Sequence, residues 1–261
     1  MKVIELQGVS NVRDLGGTSV EGGHAVVPGL LYRGGALVGA TEEDRRILFD
    51  ELGIRCVVDV RCGWEREAKP DVQVPGVENL HIPFYDLDIV GIEYTTPVEG
   101  TITIGHDFAC DPDSFYRSLA NHLTVGQMSK AIHALFERAC QGMPVYQHCS
   151  GGKDRAGIMA LLTLTVLGAS HEDILEDYLI TNVVRDKDYD KLYARFLRLA
   201  DGNEELARNL VESHRARPEN LDAFYEAIDE AYGNMESFVR EQLGFDDATL
   251  ARIRDCCTTA R

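Results

Sequence analysis

The stretch Val145-Tyr146-Gln147-His148-Cys149-Ser150-Gly151-Gly152-Lys153-Asp154-Arg155-Ala156-Gly157 changes character twice in thirteen residues. Pro144–His148 is a short apolar run of strand type. Ser150, Gly151 and Gly152 are small enough for a tight curl, and Ala156–Leu167 is apolar on nearly every side, the pattern of a helix covered by other elements. Strand, loop and helix in that order place Cys149 where unpaired backbone N–H groups and the positive end of a helix dipole converge.

That position suits phosphate-ester attack in three respects. A cysteine attacks as its thiolate, and an ordinary thiol with a pKa of ~8.5 is mostly protonated at neutral pH; a helix N-terminus and a nearby cation bring it into the ~3.5–7.5 range. A phosphate needs many donors, and the Ser150-Gly151-Gly152 curl can turn successive N–H groups onto one anion. Arg155, six positions after Cys149, can close the curl and hold two phosphate oxygens with its planar fork, with Lys153 as a further point charge. The leaving oxygen needs a proton from a nearby carboxylic acid, and Asp154 in the loop and Asp86 after Pro83 are the candidates, Asp88 competing with Asp86 on position alone. Of the seven cysteines Cys149 alone has an arginine six residues on: Ala68 follows Cys62 at that spacing, Tyr116 follows Cys110 and Tyr146 follows Cys140.

Working outward, the first half alternates strand and helix patterns. Leu30–Arg33 and Ile54–Val60 read as strands, the second β-branched and apolar as a buried strand should be. Leu80–Pro83 is a shorter one. Thr41 opens an acidic first turn whose apolar face, Ile47, Leu48 and Leu52, runs to Gly53. Ile132, Leu135, Phe136 and Ala139 mark a helix that sharpens from Met128. Ser170-x-x-Asp173 has the form of a capping box, and amphipathic helices follow to Arg254. The expected fold class is α/β, a mostly parallel central sheet flanked by helices with a helical C-terminal portion, forming one domain over residues 1–261. Residues 87–125 are irregular apart from a helical pattern at Ser114–His122. They read as a lid or binding loop, or as a weakly marked pair of strands.

The formal net charge is −17, from 26 basic and 43 acidic side chains, which opposes nucleic-acid binding and any broad anionic-membrane footprint. No apolar run approaches the ~18 residues of a membrane span, and the N-terminus lacks a signal-peptide pattern. The expectation is a cytoplasmic protein without integral membrane association, export without a signal being left open. The cysteines have no paired spacing and read as reduced thiols, with the adjacent Cys256 and Cys257 the pair least expected to be inert. No histidine stretch has metal-ligand spacing, so neither a metal nor another cofactor is expected.

These residues resemble the cysteine phosphatases of the protein-tyrosine-phosphatase superfamily, and within it the bacterial group with the loop His-Cys-x-x-Gly-Lys-Asp-Arg-Thr-Gly, the mycobacterial secreted tyrosine and lipid phosphatase type. Asn11–Gly17, Leu31–Gly34, Val58–Arg61 with Glu65, Asp177–Leu179 with Asn182, and Ala231–Gly233 match the group's other motifs. The resemblance implies a phosphatase fold and hydrolysis through a cysteinyl-phosphate. Its substrates would be a phosphorylated protein or a phosphoinositide, with inorganic phosphate or another oxyanion able to occupy the loop. Cys149 would be the nucleophile, Arg155 the phosphoryl binder, and Ser150, Gly151, Gly152, Lys153, Ala156 and Gly157 the rest of the cradle. Asp86 falls on an aspartate proposed to assist proton transfer. One position departs from the group: Ala156 stands where Thr or Ser supplies a hydroxyl that helps the thiolate leave, implying slow breakdown of the intermediate, with Ser150 a partial substitute.

Other readings of the same residues remain. Asp154 serves as proton donor or as a loop-ordering carboxylate. His148 tunes the thiolate or packs at the strand end. Arg13, Arg33 and Arg61 make structural pairs with Asp14, Asp59 or Glu65, or build a second basic site. For the whole chain, the competitors are a phosphate-binding module with little turnover and a rhodanese-like sulfurtransferase.

Overall fold

The computed structural model describes residues 2–85 and 112–260. Asp86, Asp88, Cys110 and residues 87–111 of the expected lid or binding loop lie outside them. The main sheet has the order β1 (Lys2–Val3), β2 (Arg13–Asp14), β5 (Leu31–Gly34), β8 (Val145–His148), β6 (Cys56–Asp59), β7 (Glu78–His81). The pairings β5–β8, β8–β6 and β6–β7 are parallel, while β1 and β2 pair antiparallel at the edge. The mostly parallel α/β architecture is therefore as expected. A three-stranded antiparallel sheet of β3 (Ser19–Val20), β4 (His24–Val26) and β9 (Thr258–Ala260) was not anticipated, its strands being too short to show an alternating pattern.

Successive strand side chains point to opposite faces, and the core follows that rule. Leu31, Cys56, Val58 and Val145 join the larger apolar cluster under the long helices, while Tyr32, Val57 and Tyr146 join a smaller one with Val12, Leu48, Phe49 and Ile54. The helix Asp154–Leu167 runs through the larger cluster, and only Asp154, Arg155 and Thr165 in it escape full burial. Thr41 caps the helix Glu42–Arg45 through a capping box with Asp44. Ser170 caps His171–Val184 by accepting from Asp173 N.

The pattern at Ser114–His122 resolves into the end of one helix, Pro112–Ser118, and the start of another, His122–Ala139. Asn121 makes the break: its side-chain oxygen accepts from the N–H groups of Leu123 and Thr124, capping the second helix. The helices Asp186–Leu199, Glu204–Ser213, Pro218–Tyr232 and Asp247–Cys257, with the short helical stretches Met235–Ser237 and Phe238–Gln242, supply the helical C-terminal portion. Gly34 and Asp59 stand opposite His148 on its two flanking strands. Cys149 therefore emerges at the carboxyl edge of three aligned parallel strands, the position where open α/β sheets form their crevices.

Candidate active site

The segment Cys149–Lys153 is held from outside by its carbonyls. His148 Nδ1 donates to Cys149 O at 3.1 Å, Ala36 N to Ser150 O at 3.1 Å and Asn11 Nδ2 to Gly151 O at 3.2 Å. Arg33 Nη2 donates to both Gly152 O, at 2.7 Å, and Lys153 O, at 3.2 Å. With the carbonyls engaged, the N–H groups of Ser150, Gly151, Gly152 and Lys153 have no protein acceptor among the described residues. This is the arrangement that makes a backbone anion cradle. Gly152 has φ +69°, and a Cβ there would lie 2.5 Å from Gly34 C, so both the left-handed turn and the close approach to β5 demand glycine.

Behind the loop sits a buried triad that sequence reasoning paired differently. Arg13 and Arg33 both go to Asp177 on the helix His171–Val184, Arg13 Nε at 2.7 Å and Arg33 through Nη1. Asp14 instead accepts from the N–H groups of Gly16 and Gly29. Arg13 also grips Asn11 Oδ1 at 2.6 Å, which fixes Asn11 in its left-handed conformation at φ 62°. Burial works to raise the Asp177 carboxyl, but the two guanidinium charges outweigh it and hold the group below the usual range. One carboxylate thereby steadies two arginines, and through them the carbonyls of Gly151, Gly152 and Lys153.

Arg155 enters the site from the first turn of the helix Asp154–Leu167. Glu65 receives both of its terminal nitrogens, Nη2 to Oε1 at 2.9 Å and Nη1 to Oε2. The Ser150 hydroxyl also donates to Glu65, and Cys62 N donates to it at 3.0 Å. Burial opposes ionisation of Glu65, yet its bond to Arg155 prevails and lowers it to about 2. The Arg155 guanidinium lies 5.6 Å from the centroid of the Tyr85 ring, a cation–π distance. Glu65 was a candidate partner for Arg13, Arg33 or Arg61; it pairs with the loop arginine. The Ser150 hydroxyl, expected to substitute for the one absent at Ala156, is turned to Glu65.

Asp154 takes the Tyr116 hydroxyl and stands 3.2 Å from Lys153 Nζ. Burial works to raise its carboxyl, but the Lys153 charge and the two hydrogen bonds outweigh that and move it down, which favours the ionised form. Lys153 Nζ donates to His214 O at 2.9 Å and Arg215 O at 3.4 Å. Ala156 and Gly157 are buried in the first turn of the helix.

Arg61 pairs with Asp59, as expected, and also with Asp71, its Nη2 donating at 2.7 Å and 2.6 Å. His148 Nε2 lies 3.3 Å from the same Asp71 carboxylate. Asp59, Asp71 and His148 form a cluster of metal-ligand type among the described residues, but the Arg61 guanidinium already sits between both carboxylates and would be repelled by a divalent ion. Of the C-terminal thiols, burial pushes Cys257 up, and Cys140, beside Cys256, is raised by burial to about 11. Cys140 and Cys257 are protonated at neutral pH.

Sequence reasoning centred the site on Cys149–Gly157 but missed the anchoring of Asn11, Asp71 and Tyr116. Asn11 carried a weak signal, since asparagine is among the few residues that tolerate the left-handed region. Asp71 and Tyr116 carried none, because nothing local distinguishes a residue whose partner lies far along the chain.

Comparison with known proteins bears on the family of the chain. The tyrosine phosphatase family matches residues 4–259. "Putative tyrosine-protein phosphatase" from Cupriavidus necator is 29% identical over 252 residues, covering 93% of this chain and 84% of that protein. The triple specificity protein phosphatase PtpB of Mycobacterium tuberculosis is 28% identical over 283 residues, covering 97% and 98%. A crystal structure of PTPMT1 in complex with PI(5)P aligns with a TM-score of 0.38 at 15% identity, over 77% of this chain and 92% of that one. With the family match spanning nearly its full length, the chain belongs to the tyrosine phosphatase family and is a phosphatase.

Proposed function

We propose that the protein hydrolyses phosphomonoesters by a two-step displacement at Cys149, acting on phosphotyrosyl protein and on inositol phosphates or their lipids. The observation that carries the proposal is the outward tethering of the Cys149–Lys153 carbonyls beside an arginine held by Glu65. Free loop N–H groups and the Arg155 fork would bind the three non-bridging oxygens of the phosphoryl group and stabilise the charge that spreads over them in the transition state. The Cys149 sulfur attacks phosphorus, the S–P bond forms as the ester P–O bond breaks, and the departing oxygen takes a proton. Water then attacks the cysteinyl-phosphate, returning the thiolate and releasing inorganic phosphate.

Asp154 acts in this scheme as an ionised, loop-ordering carboxylate, and its low carboxyl pKa supports that assignment. Asp86 is the proposed source of the leaving-group proton. The match over residues 4–259 supports a single catalytic domain. The six cysteines free among the described residues suit a reducing compartment, for which we propose the cytoplasm. Among the described residues no helix is long and apolar enough to cross a membrane.

Phosphate release from p-nitrophenyl phosphate, a phosphotyrosine peptide and a soluble phosphoinositide, with Cys149→Ser alongside, tests the proposal. Turnover that disappears in the variant while phosphate still binds is the expected result. Turnover that survives the substitution would remove Cys149 from the mechanism.

A further inference from the structure

The helix His171–Val184 ends and the helix Asp186–Leu199 begins on either side of Arg185, which hangs over the rim of the loop. Its guanidinium lies flat against Gly151: a Cβ there would be 3.3 Å from Nη1, 3.6 Å from Cζ and 3.7 Å from Nη2. Only Nε has an acceptor, Asp188 Oδ2 at a long 3.4 Å, and the two terminal nitrogens make no hydrogen bond among the described residues. The other arginines around the loop have their guanidinium nitrogens in close ion pairs: Arg13 and Arg33 with Asp177, Arg61 with Asp59 and Asp71, and Arg155 with Glu65. Arg185 is set apart from them by a fork that remains available beside the cradle.

Two more cations share its corner. Arg185 and Arg215 both stack on Tyr189, at 5.6 and 4.4 Å from the ring centroid, and the Tyr189 hydroxyl is held by Asn182 Oδ1 at 3.2 Å. Lys153 is drawn to the same place by its bonds to His214 O and Arg215 O. The neighbouring acids are each matched one to one: Asp188 with Arg185, Glu212 with Arg215 at 3.0 Å, and Asp154 with Lys153. Within a chain of net charge −17, three cations, each beside its own acid, stand at one side of the phosphate loop.

We propose that Arg185, backed by Arg215, forms a second anion subsite that selects phosphomonoesters carrying another phosphate on the adjacent atom of a compact polyol ring. The inference rests on the reading of Cys149–Arg155 as the cradle of the reacting phosphate. Height decides the ligand. The Arg185 fork lies against the loop backbone at Gly151, which suits a second phosphate on a small ring held close to the loop. The flanking side chains of a phosphotyrosine peptide are lifted above the loop by the length of the aromatic ring.

The test is calorimetric binding of D-myo-inositol 4-phosphate and 4,5-bisphosphate to Cys149→Ser, and to the same protein carrying Arg185→Ala or Arg185→Lys. The bisphosphate is expected to bind at least about tenfold more tightly, the size of one charge-assisted hydrogen bond. Arg185→Ala should bring it down to the monophosphate, and Arg185→Lys should restore part of the difference. Equal affinity of the two ligands, or a preference that survives Arg185→Ala, would overturn the subsite. The dioctanoyl phosphatidylinositol pair separates the sources: matching affinities place recognition in the headgroup alone, and tighter lipid binding adds a role for the acyl chains. Turnover of p-nitrophenyl phosphate by the wild-type protein is measured in parallel. Its absence beside an intact bisphosphate preference would sink the hydrolytic reading and leave the subsite standing.

Discussion

Glu65 meets Arg155 in a two-pronged ion pair and, on the same carboxylate, accepts the Ser150 hydroxyl and the Cys62 N–H. One acid thus sets the plane of the guanidinium and one wall of the loop together. Glu65→Gln keeps the shape but removes the charge that aligns the fork, and kcat/KM on p-nitrophenyl phosphate should fall by roughly 10–100-fold. The Glu65 carboxyl is lowered on folding, from 4.5 to about 2. Its contribution to stability is therefore complete above about pH 4.5 and lost as the pH falls toward 2. Urea titrations across that window should show a steeper acid loss in wild type than in Glu65→Gln; parallel curves would contradict the pairing.

Asp177 is the carboxylate shared by two buried arginines, so Asp177→Asn leaves both charges without a counter-ion. The expected loss is about 3–5 kcal/mol of unfolding free energy, the scale for breaking a buried ion pair from one side. It is read from denaturant midpoints at unchanged m-value. Because the same arginines hold the loop carbonyls, phosphate affinity should weaken even where the variant is still fully folded. A folded variant with unaltered phosphate affinity would separate the triad from the loop.

Ala156 offers no hydroxyl to the departing thiolate, and Ser150 spends its own on Glu65. Breakdown of the cysteinyl-phosphate should therefore limit turnover, giving a burst of p-nitrophenol equal to the enzyme concentration in stopped-flow traces. Ala156→Ser, the smallest change that restores the group in this buried turn, should raise the steady-state rate and shrink the burst. Identical traces from the two proteins would dismiss a role for this position.

Asp154 is held ionised by Lys153 and Tyr116. Asp154→Asn should slow p-nitrophenyl phosphate and phenyl phosphate by a similar factor, within about tenfold, since it loosens the loop without removing a proton source. A loss confined to phenyl phosphate, whose leaving group needs the proton more, would assign that role to Asp154 after all.

The loop and its neighbouring strand and helix were legible because their signals are local: small residues, a charged fork at fixed spacing, and an apolar run on each side. The parallel sheet followed from buried β-branched strands such as Cys56–Asp59. What escaped was pairing at a distance. Arg13 and Arg33 read as partners of nearby acids, but nothing near them pointed to Asp177, which lies 164 residues from Arg13 and 144 from Arg33. The strands Ser19–Val20 and Thr258–Ala260 are two and three residues long, below the length at which alternation can be seen.

The tethers from Asn11, Arg33 and Ala36 to the loop carbonyls have a consequence for protein engineering. The ten residues from His148 to Gly157 are not a portable cassette. Grafted onto another strand–helix junction, they would arrive without the outside groups that turn their amides inward, and the graft would collapse into an ordinary turn. A transplant has to carry the first strand motif, the Leu31–Gly34 strand and the helix bearing Asp177 along with it. The unit of inheritance for this chemistry is the scaffold spread across the chain, and the loop is only its visible end.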